Sequence, residues 1–73
     1  MNDVIKAMYE SSLNAARRLN TQYKKELNDA IRGTGLCKGI SSTERNSICI
    51  SLRSAIMNTQ NEIDMITADL AVM

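Results

Sequence analysis

Apolar residues recur at alternating steps of three and four from Cys49 to Met73. The series runs Cys49, Leu52, Ile56, Thr59, Ile63, Ile66, Leu70 and Met73, and only Thr59 interrupts it. This is the a/d spacing of one long helix that needs a partner helix along its length. The upstream half can supply that partner. Placed at 100° per residue, Ile5, Tyr9, Leu13, Ala16, Tyr23, Leu27 and Ile31 share one sector. Lys6, Arg17, Arg18, Lys24, Lys25 and Arg32 take the far side. The spacing predicts a first helix from about Asp3 to Arg32, with Asp3 suited to the positive end of the helix dipole.

Between the two patterns lies Gly33-Thr34-Gly35-Leu36-Cys37-Lys38-Gly39, the only glycine cluster of the chain. Gly33 directly after Arg32 is a good helix C-cap, and residues 33–40 are too few for an interdomain linker. Ser41-Ser42-Thr43-Glu44 reads as a capping box, with Ser41 as the cap. The second helix is predicted over about 41–72. The expected architecture is all-α: one domain, a two-helix antiparallel hairpin with coiled-coil-like packing.

Apolar residues remain after that seam is filled. On the first helix, Val4, Met8, Ala15 and Leu19 fall in a sector beside it. On the second, Ile50, Met57, Met65, Ala68 and Val72 lie roughly opposite it, interrupted by Ser54 and Asn61. Scattered surface apolar residues are normal, but recurrence at helical spacing marks an interface. Val4, Met8, Ala15, Leu19, Ile50, Met57, Met65 and Val72 are therefore the expected partner-binding residues. The methionines among them suit a surface that fills grooves.

Composition agrees with helices and with the need for company. The chain has 73 residues, no Pro, Trp or Phe, and two Tyr. A core this small is marginal unless disulfides, a metal or a partner support it. Two cysteines without histidine make a zinc site a poor expectation, since two ligand positions would stay empty. Cys37 and Cys49 could pair, but the simpler expectation is a small apolar residue on the seam at Cys49 and an ordinary loop thiol at Cys37. No residues suggest catalysis: there is no His for proton transfer and no Gly-rich phosphate loop after a strand. No catalytic residue, cofactor or metal is expected.

Net charge is +1, which gives no overall drive toward nucleic acid. The charges are unevenly spread, however. From Arg17 to Arg53 there are eight cations against Glu26, Asp29 and Glu44, whereas elsewhere Lys6 stands against Asp3, Glu10, Glu62, Asp64 and Asp69. In a hairpin this makes the turn end basic and the end with both termini acidic. A basic patch without interleaved aromatics is read as a solvated surface, and no nucleic-acid or membrane partner is expected. The lack of a signal-peptide layout and the few cysteines predict a reducing cytoplasm.

Three stretches resemble one known family. Tyr23-Lys24-Lys25-Glu26-Leu27, then Arg32-Gly33, then Leu52-Arg53-Ser54-Ala55-Ile56 are similar to the basic pair, turn and core of the helical-hairpin co-chaperones of type III secretion needle subunits. The resemblance covers about the last two-thirds of the chain. It implies a bacterial, cytoplasmic, virulence-associated protein that works as a heterodimer. Its partner would be a larger helical-repeat chaperone, and the pair would keep the needle subunit from polymerising. Self-association of the isolated hairpin is a further expectation. The alternatives are a homodimeric hairpin that binds RNA through the basic face of helix 1, and a small phage inhibitor protein.

Overall fold

A computed structural model describes residues 2–73, and side chains from Asp3 onward. Helix α1 spans Asn2–Arg32, a single 3-10 turn spans Gly35–Cys37, and helix α2 spans Ser42–Ala71. The helices run antiparallel. Near the turn, Ala30 shares a cluster with Cys49, and farther away Asn20 bonds to Thr59. The expected hairpin is therefore present, and α2 begins one residue and ends one residue inside the expected bounds.

The seam follows a strict alternation of four and three on both helices. Asn20 and Thr59 anchor its register. Continuing at those steps sets Leu13 opposite Ile66, Ala16 opposite Ile63, Leu27 opposite Leu52 and Ala30 opposite Cys49. Two residues expected in the seam, Ile5 and Ile31, are instead exposed. Asn20 and Ala30 are buried in that series. The cause is periodicity. A 100° step drifts about 20° per heptad from the 3.5-residue repeat of a supercoiled pair. Over four heptads the drift moves Ile5 and Ile31 off the contact line. Met73 is also off it, because α2 ends at Ala71 and Val72 caps it.

Thr59 does not weaken the seam as an isolated polar residue would. Asn20 Nδ2 donates to Thr59 Oγ1 at 2.9 Å and lies 3.2 Å from the Ile56 carbonyl oxygen. The Thr59 hydroxyl is 3.0 Å from the carbonyl oxygens of Ala55 and Ile56 and donates its one proton back to its own helix. Both residues are buried and hydrogen-bonded, so neither carries the penalty of an orphaned polar group. A single polar layer of this kind specifies register in a helical seam.

The turn is held from both sides. Gly33 takes φ 68° as the residue after α1, and Thr34 N–H donates to Asp29 O at 3.0 Å. That six-to-one bond is the Schellman closure, which favours glycine at the left-handed position. A Cβ on Gly33 would also lie 2.6 Å from Arg45 Nη1. Arg45 reaches back across the turn to donate to the Ala30 carbonyl at 3.5 Å, at the negative end of the α1 dipole. Ser41 caps α2 by accepting from Glu44 N–H at 3.3 Å, its half of the capping box. Cys37, expected to be an ordinary loop thiol, is buried against Ala30 and Cys49, with Leu27, Ile40, Ile48 and Leu52 around them. The 3-10 turn folds it inward as a plug beneath the closed end. Both cysteines are free thiols.

The hairpin is a rod of 52 × 17 × 12 Å with a radius of gyration of 15.8 Å. A compact domain of this length would have a radius near about 11 Å. Its accessible surface is 5437 Å², whereas a compact monomer of this mass exposes about 4500 Å². Among the described residues, Leu13, Ala16, Asn20, Ala30, Cys37, Cys49 and Thr59 are the buried ones, and no large side chain is fully enclosed. Two helices alone make a thin core.

Candidate docking surface

The apolar residues left over from the seam are exposed where the spacing places them. On α2 and its C-cap, Ile50, Met57, Met65 and Val72 are 65–87% exposed. On α1, Val4 and Met8 are similarly bare, Leu19 is 42% exposed, and Ala15 is half-buried. These residues do not form one patch. At 100° per residue the α1 group lies about a quarter-turn from the seam, while the α2 group lies nearly opposite it.

The two groups also differ in their neighbours. The outer face of α1 carries Arg17, Arg18, Lys24, Lys25 and Arg32, all exposed. The outer face of α2 carries Ser47, Ile50, Ser54, Met57, Asn61, Met65, Ala68 and Val72, all exposed. Its nearest charges are Arg53 and Asp64 on one edge and Glu62 and Asp69 on the other, which leaves an uncharged arc of about 140°. Water solvates such a stripe poorly and gives it no reason to stay bare.

A shallow depression of about 520 Å³ lies beside the turn, lined by Ser42, Arg45, Asn46 and Arg53 over an apolar floor that includes Ala30 and Cys49. Arg45 organises it. Its Nη2 lies 3.5 Å from Ser42 Oγ, and its buried Nε has no hydrogen-bond partner. Opposite, Leu36, Cys37, Ile40, Ile48 and Leu52 line a smaller apolar recess of about 280 Å³. Glu26 and Asp29 also line the second recess. Among the described residues, no three His, Cys, Asp or Glu side chains gather to hold a metal ion, and no helix is long and apolar enough to cross a membrane.

Helical spacing marks the exposed residues, whereas Asn20, Ala30 and Arg45 are structural residues it did not single out. The signal for the first two was present, since both continue the four–three series through Ala16, Tyr23 and Leu27. Arg45 had no such signal, because its role depends on a carbonyl fifteen residues upstream. Comparison with known proteins adds nothing to this geometry: no family model matches the chain, and no curated protein or solved structure matches it.

Proposed function

We propose that the chain is a protein-binding helical hairpin, the smaller subunit of a heterodimer with a larger helical protein. One observation carries the reading. A rod with a thin core leaves the uncharged outer face of α2 in water, and it exposes about 900 Å² more than a compact monomer would. That excess is close to the roughly 800 Å² which one partner contributes to a standard interface. A ligand that binds only the folded hairpin also adds to its stability.

The sequence resemblance supplies the partner. In this reading the larger protein is the helical-repeat chaperone of a type III secretion needle subunit, and the hairpin stabilises it in the cytoplasm. The α2 stripe is the main contact, and the α1 group at Val4, Met8, Ala15 and Leu19 is a second edge. The test is co-expression of the hairpin with such a chaperone, followed by pull-down. Met57→Asp should abolish capture, Leu19→Asp should reduce it, and neither should change the helicity of the isolated hairpin. Capture of both variants at parental levels would end the reading.

A second reading has its own observation. Arg17, Arg18 and Lys25 edge one shallow depression on α1 together with Thr21 and Gln22. A hairpin that bound RNA there would show affinity falling steeply with salt, with a slope matching several neutralised phosphates. The missing aromatic platform argues against it, and the expected result is weak binding without base preference.

A further inference from the structure

The outer face of α2 is self-complementary, and we infer that a second copy of this chain occupies it, with the two α2 helices antiparallel, whenever the larger partner is absent. The inference rests on reading that face as a docking surface, and it names the occupant of the free protein.

The stripe alternates in size along its length. A twofold axis through the stripe between Met57 and Asn61 turns one copy end for end. It sets Ile50 opposite Ala68 of the second copy, and Met57 opposite Asn61 of the second copy. Ser54 then falls within one residue of the level of Met65, and Ser47 within one residue of the level of Val72, the residue that caps α2. In each case a large apolar side chain faces a smaller or polar one, the alternation that lets two helices interdigitate. No two large side chains collide.

Charge selects the same arrangement. Arg53 and Asp64 are exposed and lie on the same edge of the stripe, about 80° and 60° from its midline. The axis that pairs the apolar residues brings Arg53 beside Asp64 of the second copy, and Asp64 beside its Arg53. At present Asp64 accepts only from Gln60 of its own helix, at 3.0 Å. On the larger scale, the basic turn end of one rod lies along the acidic terminal end of the other. A parallel pair would instead set Asp64 beside Glu62 and Asp69 of the second copy. The outer face of α1 cannot serve this way, because its Arg17, Arg18, Lys24 and Lys25 would meet cations.

The contact is small. A 30-residue helix is about 45 Å long and about 10 Å wide, so each copy covers on the order of 450 Å². The total falls at the weak end of specific interfaces. A dimer of micromolar affinity is expected, strong enough to shield the stripe and weak enough for a larger partner to displace.

The test is sedimentation equilibrium of the full chain at low salt, across concentrations from micromolar to several hundred micromolar. The parent should show a monomer–dimer equilibrium. Arg53→Asp and Asp64→Arg should each weaken it about tenfold, since two symmetric surface pairs turn repulsive together. The double variant should return to within about threefold of the parent. Circular dichroism controls for folding at these exposed positions. A chain that stays monomeric overturns the inference, as does a dimer indifferent to the single swaps or a double variant no tighter than the singles. These outcomes are separate from the heterodimer reading. A monomeric chain whose Met57→Asp variant loses the chaperone keeps that reading and sinks this one; a compensating dimer with no chaperone affinity does the reverse.

Discussion

Helix α1 carries ten charged residues and α2 carries six, in helices of nearly equal length. The difference lies in placement as much as number. In α1 the charges ring the outer face, so that side is solvated, and its exposed apolar residues Val4, Met8 and Leu19 lie beside the seam. In α2 the charges sit on the flanks between the seam and the outer stripe and near the ends, so both long faces are uncharged. A helix apolar on one stripe is a surface helix, and one uncharged on two faces belongs between neighbours. The hairpin therefore pairs a helix whose outer face is charged with one whose outer face is not. Where the chain withholds charge, more than where it places apolar residues, separates the outer faces of the two helices.

One way to break this contrast is to put the same charge on each kind of face. Ala16→Asp places a carboxylate in the buried seam, where an unpaired charge costs at least about 3 kcal/mol. Thermal unfolding by circular dichroism should show the helical signal lost or nearly so. A stable, helical Ala16→Asp hairpin would mean that Ala16 does not lie in the seam.

The closed end gives the next largest effect. Gly33→Ala forces a Cβ into both a left-handed backbone and the Arg45 guanidinium, at a cost of about 1–2 kcal/mol. In the Gly33→Ala, Arg45→Ala pair the steric share disappears and only the backbone share remains. The two changes should therefore combine to less than their sum in a double-mutant cycle. Simple additivity would show that Arg45 does not pack on the turn.

The polar layer sharpens the comparison from inside the seam. Asn20→Ala removes two hydrogen bonds from a buried site and should cost about 1–2 kcal/mol. Replacing the layer by Asn20→Leu with Thr59→Val should recover or exceed the parental melting temperature, because an apolar pair of similar volume carries no desolvation penalty. It should also loosen the register, which spin labels or cysteine cross-links across the seam would reveal as more than one pairing. A single unchanged register would show that the layer does not specify alignment.

The smallest expected effect is the outer face of α2. Met57→Asp exchanges an exposed apolar side chain for a charge and, at concentrations where the chain is monomeric, should change its stability by less than about 0.5 kcal/mol. A melting temperature lowered as far as by Ala16→Asp would place Met57 in the fold of the monomer, and the contrast between the two helices would fail.

The exposed apolar residues were legible because exposure at helical spacing is a local property. Ile50, Met57, Met65 and Val72 each follow from position relative to the α2 seam, and they needed no knowledge of α1. Ile5 and Ile31 were misplaced because their burial depends on the pitch the two helices adopt together. Cys37 was misjudged because loop position says nothing of which way a turn folds.

The two helices, their glycine break, the Ser41 cap and the uncharged face of α2 all follow from residue order, since each depends on neighbours within a turn or two of helix. Only the packed hairpin decided that Asn20 would answer Thr59, that Ala30 and not Ile31 would meet α2, that Cys37 would plug the closed end, and that Arg45 would cap α1. Those outcomes depend on supercoil pitch and on groups distant in sequence, and such contacts have no energy until the helices are in register.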